Sequence, residues 1–591
     1  MMKIRRIKWL GAFIIALLLV LIGRLVDIQL WNTESFSKHQ VNLIEASVKQ
    51  RSQVLTVDDG RGKFYDRDGE PLTHEEKQVL VLFPFLKKME WPADQIASIL
   101  GIREDQLRAE IMNGKKPFAF GGKQPLELSE YQSKAINDLK IPGVFAVKQK
   151  FNSASMQASQ LLGSTVVYSS LSKERYPDLE LFPDTRVGDK GLQRTFDEFL
   201  LSSGESKLVF HVDANGGPMF GVDVKYVEPA NPLYPVKVIT TLDKEIQATA
   251  EKIVDEFQIK KGGLILLDIE KSEILASVSR PVLDMQQPNG EGAINNMFTQ
   301  HVPGSVFKTV VAAAAIDYET APPTRMFDCN QTIDGKEEKQ RPLGMLNFQN
   351  SFAQSCNRAF AQVSQEIAQK DANFFETYAD KLAITKYSGW QGDLYHSAFK
   401  QLYGEQAGTI WKDQNELKND PKMVAKTAIG QLNVQVTPLA VANMMATIAR
   451  GGEKQMVKAV QKVEFNNGTS AIDFPEKEID QNKISPYTAM KLQELLRGVV
   501  NEPKGTGTLL KDLPYTVAGK SGTAQTKIKE GKLNKWFAGY FPYENPKYAL
   551  VAVNLDTTEN TSGMAAVFAE MVKEIYAVNH EDRSKEGEPL N

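Results

Sequence analysis

Cysteine is scarce in this 591-residue chain, and histidine nearly so. The two cysteines, Cys329 and Cys356, exclude a disulfide framework or a cysteine-ligated zinc site and leave room for one bridge at most. None of the six histidines falls in an H-E-x-x-H arrangement, which argues against a metalloprotease, and no Walker-type phosphate loop occurs. An excess of one charge is also missing: 70 Lys and Arg against 73 Asp and Glu leave a net charge of -3. Like charges form no block beyond the extreme N-terminus, so nucleic acid is not an expected partner. No metal or organic cofactor is implied. What the chain does have is 42% hydrophobic and 24% charged residues, enough at this length for roughly three or four domain-sized pieces with cores of their own.

Lys3, Arg5, Arg6 and Lys8 precede an uncharged stretch from Trp9 to Gly23, which Arg24 ends. As a helix it rises about 22 Å, a little short of a hydrocarbon core of about 30 Å, but Lys8 and Arg24 can snorkel and Leu25 and Val26 extend the apolar length. No small-x-small cleavage site follows and no cysteine lies nearby to be lipidated. The expectation is an uncleaved transmembrane anchor over residues 9–28, with residues 1–8 cytoplasmic and the chain after about residue 30 outside the cell membrane. ATP-dependent chemistry has no place there.

In the expected N-terminal domain, residues 29–235, the chain from Val41 to about Val227 mixes short strand-like runs such as Val79 to Leu82 with polar helical stretches such as Ser129 to Leu139, and offers no catalytic cluster. Pro229, Pro232 and Pro235 stiffen a linker or domain edge. A second domain is expected over residues 236–578. It opens with Leu242, Ile246, Thr249, Ala250, Ile253 and Phe257 at the spacing of an amphipathic helix, followed by strands Leu264 to Leu267 and Ile274 to Val278. Tyr515 to Gln525, Trp536 to Phe541 and Tyr548 to Leu555 read as three consecutive antiparallel strands, and Met564 to Tyr576 as a closing helix. The order implies an α+β fold with one antiparallel sheet sandwiched by helices. The charged tail at 579–591 is expected to be disordered.

Pro303-Gly304-Ser305-Val306-Phe307-Lys308 opens a run, Thr309 to Ile316, of only Thr, Val, Ala and Ile, which predicts a helix buried on nearly all sides with Ser305 in its first turn. A serine and a lysine three apart on a helix share one face, so the amine can reach the hydroxyl while the positive helix end faces a forming oxyanion. S-x-x-K alone is weak. Ser355-Cys356-Asn357 lies 50 residues on, at the start of a helix carrying Phe360, Val363 and Ile367, and Lys520-Ser521-Gly522-Thr523 lies on a strand. The ordered trio is the signature of penicillin-recognising serine enzymes.

With these motifs the chain resembles a class B penicillin-binding protein, almost end to end. Arg61-Gly62-Lys63-Phe64-Tyr65-Asp66-Arg67-Asp68-Gly69 resembles a segment of that family's elongated α+β N-terminal pedestal. Gly188, Gly191, Leu192 and Phe196 resemble another, with Gln193 where the family usually carries Glu. Thr241-Leu242-Asp243, Ile429-Gly430-Gln431, Thr437-Pro438-Leu439 and Gly505-Thr506-Gly507 are similar to its transpeptidase signatures.

The resemblance implies acyl transfer from a stem peptide ending in D-Ala-D-Ala, through an ester on Ser305, to an amine of a neighbouring strand, giving a peptidoglycan crosslink, with β-lactams as covalent inhibitors. Lys308 is the candidate base, made neutral by burial and by the like charge of Lys520. His301 is close in sequence but precedes the helix. By resemblance, Ser355 relays a proton to the leaving amine, Asn357 holds the substrate amide, and Lys520 sets the positive potential. Ser521, Gly522, Thr523 and Gln525 form the substrate-binding edge, and the N–H groups of Ser305 and Thr523 the oxyanion hole. Cys356 reads as a small buried filler. A SEDS-family glycosyltransferase is the partner that the resemblance implies. Three alternatives are a D,D-carboxypeptidase, a serine β-lactamase, for which the water-activating E-x-x-L-N element is absent, and a catalytically silent scaffold.

Overall fold

A computed structural model describes residues 2–586 apart from 38–40, 123, 154–155, 168–173, 180, 182–184, 202–203, 214–224, 230, 285, 413–417, 528–529, 559–560 and 562. The N-terminal apolar stretch forms helix α1 (Met2–Val26), continued by a π-helical turn, Asp27–Trp31. Among the described residues, the segment Ile4–Trp31 is the one helix long and apolar enough to cross a membrane, and no residue of its most apolar stretch is buried. The fold class is α+β, as expected from the sequence.

The chain divides into two compact units. The smaller takes in residues 1–60, 74–152 and 203–231. Its antiparallel sheets are Ser52–Asp58, Ser206–His211 and Lys225–Val227, in that order, and Phe118–Ala119, His74–Leu82 and Val144–Asn152. The run Val79 to Phe83 is buried on both faces. Ser129 caps the helix Glu130–Asp138 through a reciprocal bond pair with Gln132.

The larger unit takes in residues 61–73, 153–202 and 232–591. Two of its segments meet at a buried ion pair, in which Arg61 lies 2.8 Å from Asp197 and also donates to the Gln193 side chain. Asp197 accepts from Gly188 N–H and the Tyr176 hydroxyl as well. Gln193 therefore keeps the guanidinium's hydrogen bond while Asp197 supplies the countercharge. Asp197→Asn retains the acceptor but strands a buried cation, so a loss of about 2 to 3 kcal/mol in unfolding free energy is expected, read by denaturant titration. An unchanged midpoint would contradict it.

The main sheet of this unit is five-stranded. Helix α2 (Lys244–Glu256) starts at Asp243, whose carboxylate accepts from the N–H groups of Glu245 and Ile246. It leads into β1 (Gly262–Asp268) and β2 (Glu273–Arg280). A helical middle follows, with α3 (Lys308–Asp317), α4 (Asn357–Ala368), α5 (Pro438–Ala449) and α6 (Pro486–Asn501). Strands β3 (Ala518–Lys527), β4 (Lys532–Phe541) and β5 (Tyr548–Thr557) then complete a wholly antiparallel sheet of order β2-β1-β5-β4-β3.

Alternation along the strands separates two cores. Leu264, Leu266, Phe537 and Leu550 pack with α2 and the last helix, α7 (Met564–Glu586). Ile265, Leu267, Ala538 and Val551 face α3, α5 and the rest of the helical middle. One expectation is corrected here. The tail from Asn579 is not wholly irregular: α7 runs on to Glu586, because Asn579 donates to the hydroxyls of Tyr515 and Tyr548 and His580 stacks on Tyr576 at 3.8 Å. Residues 587–591 of that tail lie outside the described residues.

Candidate active site

The S-x-x-K segment starts with a single 3-10 turn, Gly304–Phe307, that passes directly into α3. Lys308 to Ala315 are buried without interruption, which is why the run carries no polar face, while Ser305 stays half-buried. Gly304 has a φ of +57°, and a Cβ there would fall 2.3 Å from the Thr523 carbonyl oxygen. Glycine thus lets the turn that carries Ser305 rest against β3. Behind it, Gly304 N–H donates to the Gly430 carbonyl at 3.0 Å, and a Cβ on Gly430 would meet the Gly304 carbonyl at 2.0 Å. The Ile429-Gly430-Gln431 signature is therefore packing behind the Ser305 turn.

Lys308 is fully buried. Its Nζ donates to the Asn357 Oδ1 at 2.7 Å and the Ser355 carbonyl at 2.9 Å, and lies 3.1 Å from the Ser355 Oγ. No hydrogen bond joins it to Ser305 among the described residues, so the amine is seated on the S-x-N motif. Burial, then the charges of Lys520 and Arg341, hold its pKa well below the usual lysine value. Lys520 is also fully buried, beneath β3, where its Nζ donates to the Ser521 carbonyl at 3.0 Å. Burial and Arg341 bring it down to about 7.

Period-two alternation puts Ser521, Thr523 and Gln525 on the face of β3 opposite Lys520 and the buried Gly522. Thr523 and Gln525 are exposed, and the Ser521 hydroxyl donates to Thr506 Oγ1 at 2.8 Å. Asn357 is exposed at the first position of α4. His301 is tied instead to the Asn296 carbonyl at 3.0 Å and to Thr299, and burial pushes it down to about 4. It is therefore neutral at physiological pH.

Two features differ from the sequence reading. Cys356 is no filler thiol but is disulfide-bonded to Cys329. The short antiparallel pair Met326–Asp328 and Met345–Asn347 folds the chain back on itself, and the Cys329 N–H donates to the Gly344 carbonyl, which brings the two Cα atoms to 5.9 Å. The second feature is Arg341, on the same strap. Its guanidinium donates to the Gln354 carbonyl and lies 3.4 Å from that of Ser355, immediately before the S-x-N motif, where Ser355 holds a φ of +57°. The cysteines could have been paired from the sequence, being the only two in a chain read as exported. Arg341 left no signal, because nothing in its neighbours marks the loop as near the site.

A serine at a buried helix start, a depressed lysine, a serine and asparagine around that lysine, and a lysine-bearing edge strand of an antiparallel sheet define the penicillin-recognising serine acyl transferases. The family comparisons agree. A model of the penicillin binding protein transpeptidase domain matches residues 262–577, and one of the penicillin-binding protein dimerisation domain matches residues 56–234. The first spans more than half of the chain, which belongs to the penicillin-binding protein transpeptidase family; with the dimerisation domain it is a class B member.

Similar curated proteins include penicillin-binding protein 3 of Bacillus subtilis, 23% identical over 89% of this chain and 77% of that protein. Peptidoglycan D,D-transpeptidase MrdA of Haemophilus influenzae is 24% identical over 96% of this chain and 91% of that protein. Among solved structures, a chain from work titled "Structural coordination of polymerization and crosslinking by a peptidoglycan synthase complex" has a TM-score of 0.65 at 20% identity and covers 97% of this chain and 98% of its own, which speaks for the shared fold. The chain is accordingly a serine acyl-transfer enzyme of peptidoglycan crosslinking.

Proposed function

We propose that Ser305 is the nucleophile and Lys308 its base in a D,D-transpeptidase, with residues 29–235 as a pedestal and 236–578 as the catalytic domain outside the membrane that α1 crosses. One observation carries the assignment: a fully buried lysine, its pKa held well below the usual lysine value, whose side-chain oxygen partners among the described residues are those of Ser355 and Asn357. A neutral amine has two N–H bonds and one lone pair. The Asn357 Oδ1 and the Ser355 carbonyl take the two bonds, so the lone pair is left to accept a hydroxyl proton.

Ser305 Oγ attacks the penultimate D-Ala carbonyl and gives its proton to Lys308. The Ser355 hydroxyl passes that proton to the departing D-Ala amine as the C–N bond breaks. The acceptor amine of the neighbouring strand then attacks the ester, its proton returns along the same path, and Ser305 is freed. The N–H groups of Ser305 and Thr523 stabilise the oxyanion, a contribution of about 3 to 4 kcal/mol when one donor is lost. Asn357 keeps its amide N–H bonds for the substrate because only its oxygen is engaged by Lys308. Ser521 and Thr523 bind the terminal carboxylate under the potential of Lys520, and Gln525 extends that edge. The Cys329 to Cys356 bridge supports an oxidising location beyond the cytoplasm. The likeness to a synthase complex supports a SEDS-family glycosyltransferase as partner.

Intact mass spectrometry of the detergent-solubilised full chain after brief exposure to benzylpenicillin tests this reading. One long-lived adduct, missing in Ser305→Ala, is expected. Rapid loss of the adduct with drug turnover would make the enzyme a β-lactamase, and no adduct at all would favour a scaffold.

Arg341 gives a pH prediction. Acylation requires Lys308 neutral and Lys520 charged, so its rate rises as Lys308 deprotonates and falls above about 7 as Lys520 does. Removing the like charge in Arg341→Ala lets both lysines hold their protons more tightly. Both limbs of the acylation profile then move to higher pH, and Arg341→Lys restores them. A profile that stays in place would rule out this electrostatic role.

A further inference from the structure

The larger unit carries a cleft of about 420 Å³ that shares no lining residue with the catalytic cluster. Its walls include Arg194, Tyr387, Phe399, Lys400, Tyr403 and Glu405. The two cations are already seated on aromatic faces: the Arg194 guanidinium lies 4.5 Å from the Tyr403 ring centre, and the Lys400 ammonium 4.1 Å from that of Tyr387. Neither has a carboxylate within ion-pairing distance among the described residues. Both tyrosines keep much of their surface open, 38% for Tyr387 and 45% for Tyr403.

The acid of the cleft does little to offset these charges. Glu405 is held by the N–H groups of Ser388, at 2.6 Å, and of Gly389, at 3.1 Å, and burial pushes its carboxyl up to about 7. Burial thus weakens its acidity, while the nearby Lys400 and the two N–H groups act the other way. What remains is a concave site in which two cations lie on partly open tyrosine rings, Arg194 donating to the Asp189 carbonyl and Lys400 facing the weakened acid of Glu405. Aromatic faces take up the C–H face of a sugar ring, and guanidinium and ammonium groups take up carboxylates. The volume lies in the range of small-ligand sites. A purely apolar ligand would bury both cations with little to offset their charge, and a free small anion would leave the rings unused.

We propose that this cleft binds an acidic glycan, a sugar chain with carboxylates attached, which for this enzyme is a peptidoglycan strand carrying its stem peptides. The identity of the strand rests on the transpeptidase reading above. The cleft then grips substrate at a second point, so that a strand can be held while its peptide is exchanged at Ser305.

The test uses full-length protein in detergent, first acylated by benzylpenicillin so that the catalytic site is closed. The probe is a fluorescent disaccharide pentapeptide, followed by anisotropy. Saturable binding is expected, weakened about tenfold or more in Tyr403→Ala and in Arg194→Ala with Lys400→Ala, and kept in Tyr403→Phe, which retains the ring. Chitotetraose, a neutral sugar chain, and the free pentapeptide should each compete at least about tenfold less well than the unlabelled disaccharide pentapeptide. Penicillin acylation rates should match wild type in every variant, which also reports that each has folded. Absence of binding, equal affinity in the alanine variants, or equal competition by the free pentapeptide would overturn the proposal. Failure of the wild type to acylate would instead count against the transpeptidase reading, and the two failures are separately visible.

Discussion

Lys308→Gln lowers the rate of Ser305 acylation by on the order of a thousandfold and at the same time raises the melting temperature. The kinetic loss follows from the site's lack of another base. His301 is bound to the Asn296 carbonyl, and Lys520 lies beneath β3 with its amine on the Ser521 carbonyl. Glutamine can still donate to the S-x-N oxygens but cannot accept a proton near pH 7, so the general-base contribution, typically 10²- to 10⁴-fold, is lost.

The gain in stability comes from the same burial. In the unfolded chain Lys308 is charged below its ordinary pKa of 10.5, whereas in the fold its pKa is well below that value, so folding must release a proton. That penalty is full below the folded pKa and shrinks as pH rises toward 10.5. Glutamine has no such penalty. The excess stability of Lys308→Gln should therefore be greatest below the folded pKa of Lys308, already smaller once that amine is neutral, roughly a few degrees in melting temperature, and fade as the pH approaches 10. An acylation rate within threefold of wild type would remove Lys308 from the role of base, whatever the melting curves show.

Much of this architecture could be read from residue patterns because the patterns have one physical solution. Thr309 to Ile316 has no polar residue beyond its first threonine, so it could only become the central buried helix. The sheet strands were legible because Leu264 to Leu267 and Tyr548 to Leu555 are apolar on both faces and both faces are covered. The amphipathic stretch expected to begin at Leu242 starts two residues later, since Asp243 caps it.

Tertiary pairings were harder. Nothing local shows that residues 61–73 and 153–202 meet through Arg61 with Gln193 and Asp197, more than a hundred residues away, or that Lys63 to Tyr65 pairs in parallel with Lys237 to Ile239. Arg341 was hidden for the same reason. It acts through the carbonyls of Gln354 and Ser355, and main-chain acceptors carry no sequence signature. The direct partner of Lys308 also differs in emphasis: sharing a helix face with Ser305 suggested that hydroxyl, yet the amine's oxygen partners all come from Ser355 and Asn357.

The bridge between Cys329 and Cys356 leads to the other large effect. Cys329→Ala with Cys356→Ala should lower unfolding free energy by about 3.5 kcal/mol, since the cysteines are 27 residues apart and closing a loop of that length in the unfolded chain is what the bond contributes in the chain-entropy account. The same substitution should slow acylation by about ten- to a hundredfold, the range that a displacement near 1 Å can produce in a positioned group. Cys356 sits between Ser355, which holds a left-handed backbone conformation, and Asn357, which opens α4; both side chains are partners of Lys308. Without the bond, the strap is still tied by Arg341 to the carbonyls of Gln354 and Ser355 and by Arg358 of α4 to the Ile333 carbonyl. The triple variant, Arg341→Ala in the cysteine-free background, should therefore lose more acylation than the two changes predict separately, because each tether carries more of the restraint when the other is gone. If the losses simply multiply, the strap and the bond act on different parts of the site, and the turn at Ser355 is held by its own helix.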